Sequence, residues 1–252
     1  MKNKIINILI VIITFIIILL IGFNIYQKYL KKEEPKPVIK HDEVVEEIEE
    51  ELPQINYEEK LNELKKEYNN NDIVGVLSLE NTNLNEIVMQ YTDNDYYLEH
   101  TVYHEENWRG QTYLDYRVNI NESKKLIIYG HNSPNYSLPF KIFENYHDKN
   151  YLNDHRYLYL QTDKGIKVYQ IFSVHVEVKD WSYYNKMTFI NDEDYYNHIK
   201  MLKDRSFYDT GVEITKDDEI LIIQTCSTHP SYIGYENKFL LIIGKKVEKF
   251  DN

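Results

Sequence analysis

Eight short runs dominated by β-branched and aromatic residues, each cut off by a polar turn, constrain this 252-residue chain more than any other feature. They extend from Ile73 to Leu79, Ile87 to Gln90, Gln111 to Tyr116, Lys125 to Tyr129, Tyr157 to Gln161, Lys167 to Val178, Glu219 to Thr225 and Lys238 to Val247. Runs this short and this frequent, with few helical stretches between them, predict a mainly β domain of about eight strands closed into a barrel. Within this domain helical spacing is confined to three places. Tyr57, Leu61, Leu64 and Tyr68 fall on one face of a helix that Asn56 can cap and that Asn69-Asn70-Asn71 ends. Leu138 to Tyr146 forms a second, and Asp192 to Leu202, with Tyr195, Ile199 and Leu202 in step, a third that precedes the last two strands.

The barrel sequence is preceded by two appendages. Ile5 to Phe23 is almost wholly Ile, Leu, Val and Phe, and about 20 such residues cross a bilayer. A cleaved signal peptide would show an apolar core of about 7 to 15 residues and a small-residue cleavage site, so residues 5–26 are expected to remain as a single membrane-spanning anchor after a short tail, residues 1–4. Residues 27–56 are rich in Glu, Lys and Pro and bury little apolar surface, which predicts an extended stalk before a domain covering 57–252. The chain carries a net charge of −12, and because residues 1–32 hold five lysines and no acid, the remainder stands at −17. A soluble part that acidic, stalk and domain together, is a poor partner for nucleic acid.

Chemistry concentrates at the ends of two strands. Leu221-Ile222-Ile223-Gln224-Thr225-Cys226 delivers the only cysteine of the chain to a turn closed by Pro230. Most free cysteines are small buried hydrophobes, but a nucleophile belongs on a rigid element whose end opens into a loop. A thiol needs a base to become thiolate near neutral pH. Of nine histidines, His131 repeats the arrangement: Lys125-Leu126-Ile127-Ile128-Tyr129 leads into Gly130-His131-Asn132, where Gly130 is expected to permit a tight backbone turn. His229, three residues after the thiol, is the rival base. Asp93 and Asp115 read as turn formers. No close set of His, Asp and Glu has metal-ligand spacing and there is no phosphate-binding glycine loop, so neither metal nor cofactor is expected.

The pairing of Ile128-Tyr129-Gly130-His131-Asn132 with Thr225-Cys226 resembles the sortases, cysteine transpeptidases of Gram-positive cell surfaces. Asp93-Asn94-Asp95-Tyr96-Tyr97-Leu98-Glu99-His100, Gly110-Gln111-Thr112-Tyr113-Leu114-Asp115-Tyr116-Arg117 and the long segment from Tyr169 to Cys226 resemble class B in particular. The likeness runs from about Tyr57 to Val247. It implies a sortase barrel with an N-terminal helix and an extra helix before the cysteine strand, outside the membrane, with the amino terminus cytoplasmic. It also implies that Cys226 attacks a C-terminal sorting motif of secreted proteins, that His131 serves as acid and base, and that an amine of the cell wall peptide or of a pilin resolves the thioester.

The chain departs from that family at two points. Sortases supply an arginine from the strand after the cysteine, whereas the arginines here are 109, 117, 156 and 205. Lys238 stands near the expected place and is the candidate substitute, with Tyr235 and Asn237 as further donors and Thr225 as a substrate contact; lysine brings the charge without the planar two-pronged donor array. Ile222-Ile223-Gln224 replaces smaller or hydroxylated residues beside the thiol. Two other readings of the same residues stay open, a secreted cysteine protease and a catalytically weak surface module.

Overall fold

The computed structural model describes residues 55–178 and 181–248, all within a compact unit that spans Pro53–Asn252. The expected membrane segment and nearly all of the stalk lie outside the described residues. Among the described residues no helix is long and apolar enough to cross a membrane.

Helix α1 (Tyr57–Tyr68) leads in, with the Asn56 side chain accepting from Glu59 N at 3.1 Å and Asn69 closing it in the left-handed region at φ 50°. The strands follow as β1 (Ile73–Leu79), β2 (Asn85–Met89), β3 (Tyr113–Leu114), β4 (Lys125–Tyr129), β5 (Tyr157–Thr162), β6 (Gly165–Glu177), β7 (Ile220–Cys226) and β8 (Phe239–Val247). They close in the order β1-β2-β3-β4-β7-β8-β6-β5. The β2/β3 and β4/β7 pairs are parallel and the other pairs antiparallel. Short α2 (Tyr151–Asp154) and α3 (Trp181–Tyr184) sit in connections, and α4 (Asp192–Asp204) crosses between β6 and β7.

The central strands are apolar on both faces, which is why they read as continuous runs rather than alternations. Leu221 and Ile223 of β7 join Leu126 and Ile128 of β4 in the barrel interior. Ile220, Ile222 and Ile127 face outward and are covered by Tyr195, Ile199 and Leu202 of α4. Burying such a side chain fully contributes about 1.5 to 3 kcal/mol, so α4 is held by its apolar stripe rather than by its helix propensity.

Two elements differ from expectation. The run Gln111–Tyr116 pairs only over Tyr113–Leu114; Asp115 N still donates to Ile127 O at 2.9 Å, but its carbonyl is taken by the Gln90 side chain at 2.8 Å and the strand goes no further. The stretch expected as an α-helix from Leu138 is a 3-10 helix over Pro139–His147. Phe140, Phe143 and Tyr146 are all buried there at a spacing of three, and only a three-residue turn puts all three on one face.

Candidate active site

Register decides what meets what at the open end of the barrel. In the parallel β4/β7 pair Tyr129 lies beside Gln224, and Gly130 N donates to Gln224 O at 3.1 Å. Side chains alternate along a strand, so two residues further on His131 and Cys226 follow on the outer face that Tyr129 and Gln224 share. All four line a cavity of about 470 Å³, together with Leu98, Tyr113, Tyr184, Asn237 and Phe239 among others.

The His131 ring is fixed by a backbone carbonyl. Its Nε2–H donates to Leu98 O at 2.9 Å, which leaves Nδ1 to take a proton without breaking that contact. Gly130 acts differently from expectation: its φ is not in the left-handed region, and a Cβ there would overlap the buried ring of Phe140. The glycine permits close packing under His131 rather than a tight turn.

Cys226 is exposed at the end of β7. Desolvation by the surrounding protein pushes its thiol above the ordinary value, and the Lys238 ammonium opposes that rise. Lys238 lies one residue before Phe239, the partner of Cys226, and its carbonyl accepts from Ser227 N at 2.7 Å. Asn237 and Phe239 line the cavity, whereas Lys238 does not. Its charge reaches the thiol from beside the cavity, and Asn237 is the amide that faces it. Tyr235 is exposed, packs on Tyr232 with ring centroids 6.4 Å apart, and does not line the cavity. Thr225 alternates to the barrel interior, fully buried, with its hydroxyl unpartnered, and so faces away from the thiol. The N–H groups of Ser227 and Thr228 are both engaged within the protein, by Lys238 O and the Glu144 carboxylate, and do not point to substrate.

A raised thiol pKa has a direct consequence. The rate of Cys226 alkylation by iodoacetamide should climb through the alkaline range with a midpoint above the about 8.5 of a free cysteine. Removing the lysine charge removes an influence that lowers this pKa, so Lys238→Met should move the midpoint further up, while Asn237→Ala should not. A midpoint unmoved by Lys238→Met would show that the ammonium does not act on the thiol.

The cavity wall is braced from behind by a buried carboxylate. Asp115 accepts from Tyr129 OH at 2.8 Å, from Asn94 Nδ2 at 3.1 Å and from Arg117 Nε and Nη2 at 2.8 and 2.6 Å. Burial by itself would raise the Asp115 carboxyl, but the Arg117 guanidinium and N–H and the Tyr129 hydroxyl outweigh it and hold it below the ordinary range. Arg117 in turn donates to the Asn185 side chain. Lys125, buried under the same segment, donates to Tyr184 O at 2.5 Å and Lys186 O at 2.7 Å. Asp93 is a turn former, accepting from Asp95 N and Tyr96 N, but Asp115 is a hub that three parts of the wall share. Sequence inspection missed this role, since a short-range Asp-x-Arg looks like any turn; only the full burial of Asp115 identifies it.

A thiol beside an oriented imidazole at the mouth of a barrel is the equipment of cysteine-based acyl transfer. A family model described as the Sortase domain matches residues 77–247. The sortase B of Listeria monocytogenes is 31% identical over 182 residues, covering 71% of this chain and 72% of that protein. The crystal structure of Clostridium perfringens sortase B superposes with a TM-score of 0.67 at 28% identity, over 74% of this chain and 100% of that one. A structure of sortase B complexed with triglycine gives 0.68 at 26% identity, over 77% and 88% of the two chains. The chain belongs to the sortase family. Its relatives are class B enzymes, and it is a cysteine transpeptidase of that kind.

Proposed function

We propose that this protein is a membrane-anchored transpeptidase that cleaves a C-terminal sorting motif on secreted proteins and transfers them to an amine of the cell wall peptide or of a pilin. Cys226 Sγ attacks the scissile carbonyl while its proton passes to His131, because a thiol held above its ordinary pKa must be deprotonated as it reacts. The imidazolium then protonates the leaving amine, a thioester remains on Cys226, and the incoming amine resolves it with His131 as base. Asn237 from the cavity wall and the Lys238 charge from beside it stabilise the oxyanion where the family's arginine is missing. The observation that carries this reading is the β4/β7 register, which ends with Tyr129 beside Gln224 and leads His131 and Cys226 into the lining of one cavity. The apolar run Ile5 to Phe23 supports the anchor, with the catalytic domain outside the cell. That a related sortase B was crystallised with triglycine supports an amine as acceptor.

The test is partition of the acyl-enzyme. Full-length protein in detergent is incubated with a panel of sorting-motif peptides, with and without triglycine, and products are identified by mass. A peptide–triglycine conjugate at the expense of the hydrolysed peptide is expected. Hydrolysis unaffected by amine would make the protein a cysteine protease, and absence of any thioester would make it a catalytically weak module.

A further inference from the structure

Where β4 and β7 run out, side chains take over from the ladder. The Gly130 N–H still reaches Gln224 O, but the next acceptor along β7, the Cys226 carbonyl, is occupied by the side-chain amide of Asn132 at 3.0 Å. The same Nδ2 donates its second hydrogen to Glu144 Oε1 at 3.0 Å, and that oxygen also accepts from Thr228 N at 2.5 Å. The other carboxylate oxygen stands 3.2 Å from His147 Nε2 and accepts from the Ser227 hydroxyl at 3.5 Å. A closed ring thus runs from the Cys226 carbonyl through Asn132 and Glu144 to Thr228 N. It joins the residue after His131 to the two residues after Cys226.

The residue types suit this junction. An ionised carboxylate offers only acceptors, and every group around Glu144 can donate. Desolvation would raise its pKa, but the contacts from His147 and the Thr228 N–H outweigh that and hold it below the ordinary value, so it stays ionised near neutral pH. Its helix is anchored by Phe140, Phe143 and Tyr146 in the core, which gives the clamp a rigid base. The Glu144 side chain lies behind the strand ends and does not line the cavity.

We propose that Glu144 is a positioning residue for the transpeptidation: by clamping the two strand ends, it sets the spacing and facing of the His131 imidazole and the Cys226 thiol without touching substrate. Backbone hydrogen bonds would hold two parallel strands in register at a fixed spacing. Replacing them by a side-chain bridge lets the strands part enough to admit a substrate between base and nucleophile, and the carboxylate then fixes how far they part. This rests on the assignment of Cys226 and His131 as the reacting pair.

Glu144→Ala in the full-length chain should lower kcat for thioester formation by about 10- to 100-fold, the scale of a misplacement near 1 Å. KM for the peptide should stay within about threefold, since no substrate contact is lost. Rates are expressed per folded protein, with the folded fraction taken from near-UV circular dichroism, so that a mere loss of folded protein leaves them unchanged. Glu144→Gln should recover most of the rate, because the Gln carbonyl can still accept from Asn132 and Thr228. Asn132→Ala should lose a similar factor, and the double variant with Glu144→Ala should be no worse than the weaker single, as members of one unit are not additive. Should Glu144→Ala fail to fold, Glu144→Gln and Asn132→Ala carry the test. An unchanged rate per folded protein in Glu144→Ala or in Asn132→Ala, or a Glu144→Gln variant as slow as either, overturns the inference. Turnover retained by Cys226→Ala would instead overturn the assignment of the site on which it rests.

Discussion

Cys226→Ala is expected to abolish thioester formation and turnover with every sorting-motif peptide while leaving the barrel intact. The sulfur is the only thiol in the chain and sits at the open end of β7 beside His131. No neighbouring hydroxyl can replace it: Thr225 turns into the barrel and Ser227 is buried against Glu144. Removing a nucleophile from a comparable acyl-transfer site costs on the order of 10⁶-fold in kcat. The residue is exposed, and a substitution of this kind usually changes stability by no more than about 0.5 kcal/mol. In a domain of this size that shifts Tm by roughly 1 to 2 °C. The measurement is a mass spectrum of the acyl-enzyme together with a thermal melt. Turnover near that of the wild type would remove the mechanism.

His131→Ala should lose about 10² to 10⁴ in the acylation rate, the usual worth of general acid–base help. His229→Ala should lose far less. The structure separates the two imidazoles although His229 is the closer in sequence. His131 lines the cavity and is held by Leu98 O. His229 accepts from Ser231 N at 3.3 Å, stacks on His147 with ring centroids 4.1 Å apart, and does not line the cavity. Single-turnover acylation of both variants decides the matter, and the opposite ranking would show that the wrong imidazole has been paired with the thiol.

The missing arginine gives the oxyanion question its shape. Sequence position alone makes Lys238 the substitute, and its charge does reach Cys226. The segment leading into β8 nevertheless brings Asn237 and Phe239 to the cavity and leaves Lys238 outside it. On the proposed mechanism, charge and hydrogen bond, which one guanidinium would supply together, are divided between two neighbouring residues. Lys238→Met should move the alkylation midpoint of the thiol and slow acylation, whereas Asn237→Ala should slow acylation and leave the midpoint in place; acylation unchanged in Asn237→Ala would remove the amide from the mechanism.

Local patterning was enough to specify the strongest segments and to single out the candidate reacting pair. β1 and β4 begin and end where their apolar runs do, and α1 is capped by Asn56 and ended by Asn69, because patterning and capping act over a few residues. Cys226 and His131 stood out because each ends an apolar strand and the cysteine has no competitor. Matters that depend on residues far apart in the chain were settled by the fold. The spacing Phe140, Phe143, Tyr146 became a 3-10 helix because the core accepts all three on one face, and Gly130 is required by the Phe140 ring that this helix brings beneath it. Asp115 and Glu144 look like ordinary surface acids in sequence, and burial among donors from several elements makes them the supports of the wall and of the strand ends. Lys238 and Asn237 are adjacent letters just before β8, and which of them reaches the cavity is decided where pairing with β7 brings Phe239 beside Cys226 rather than by either residue.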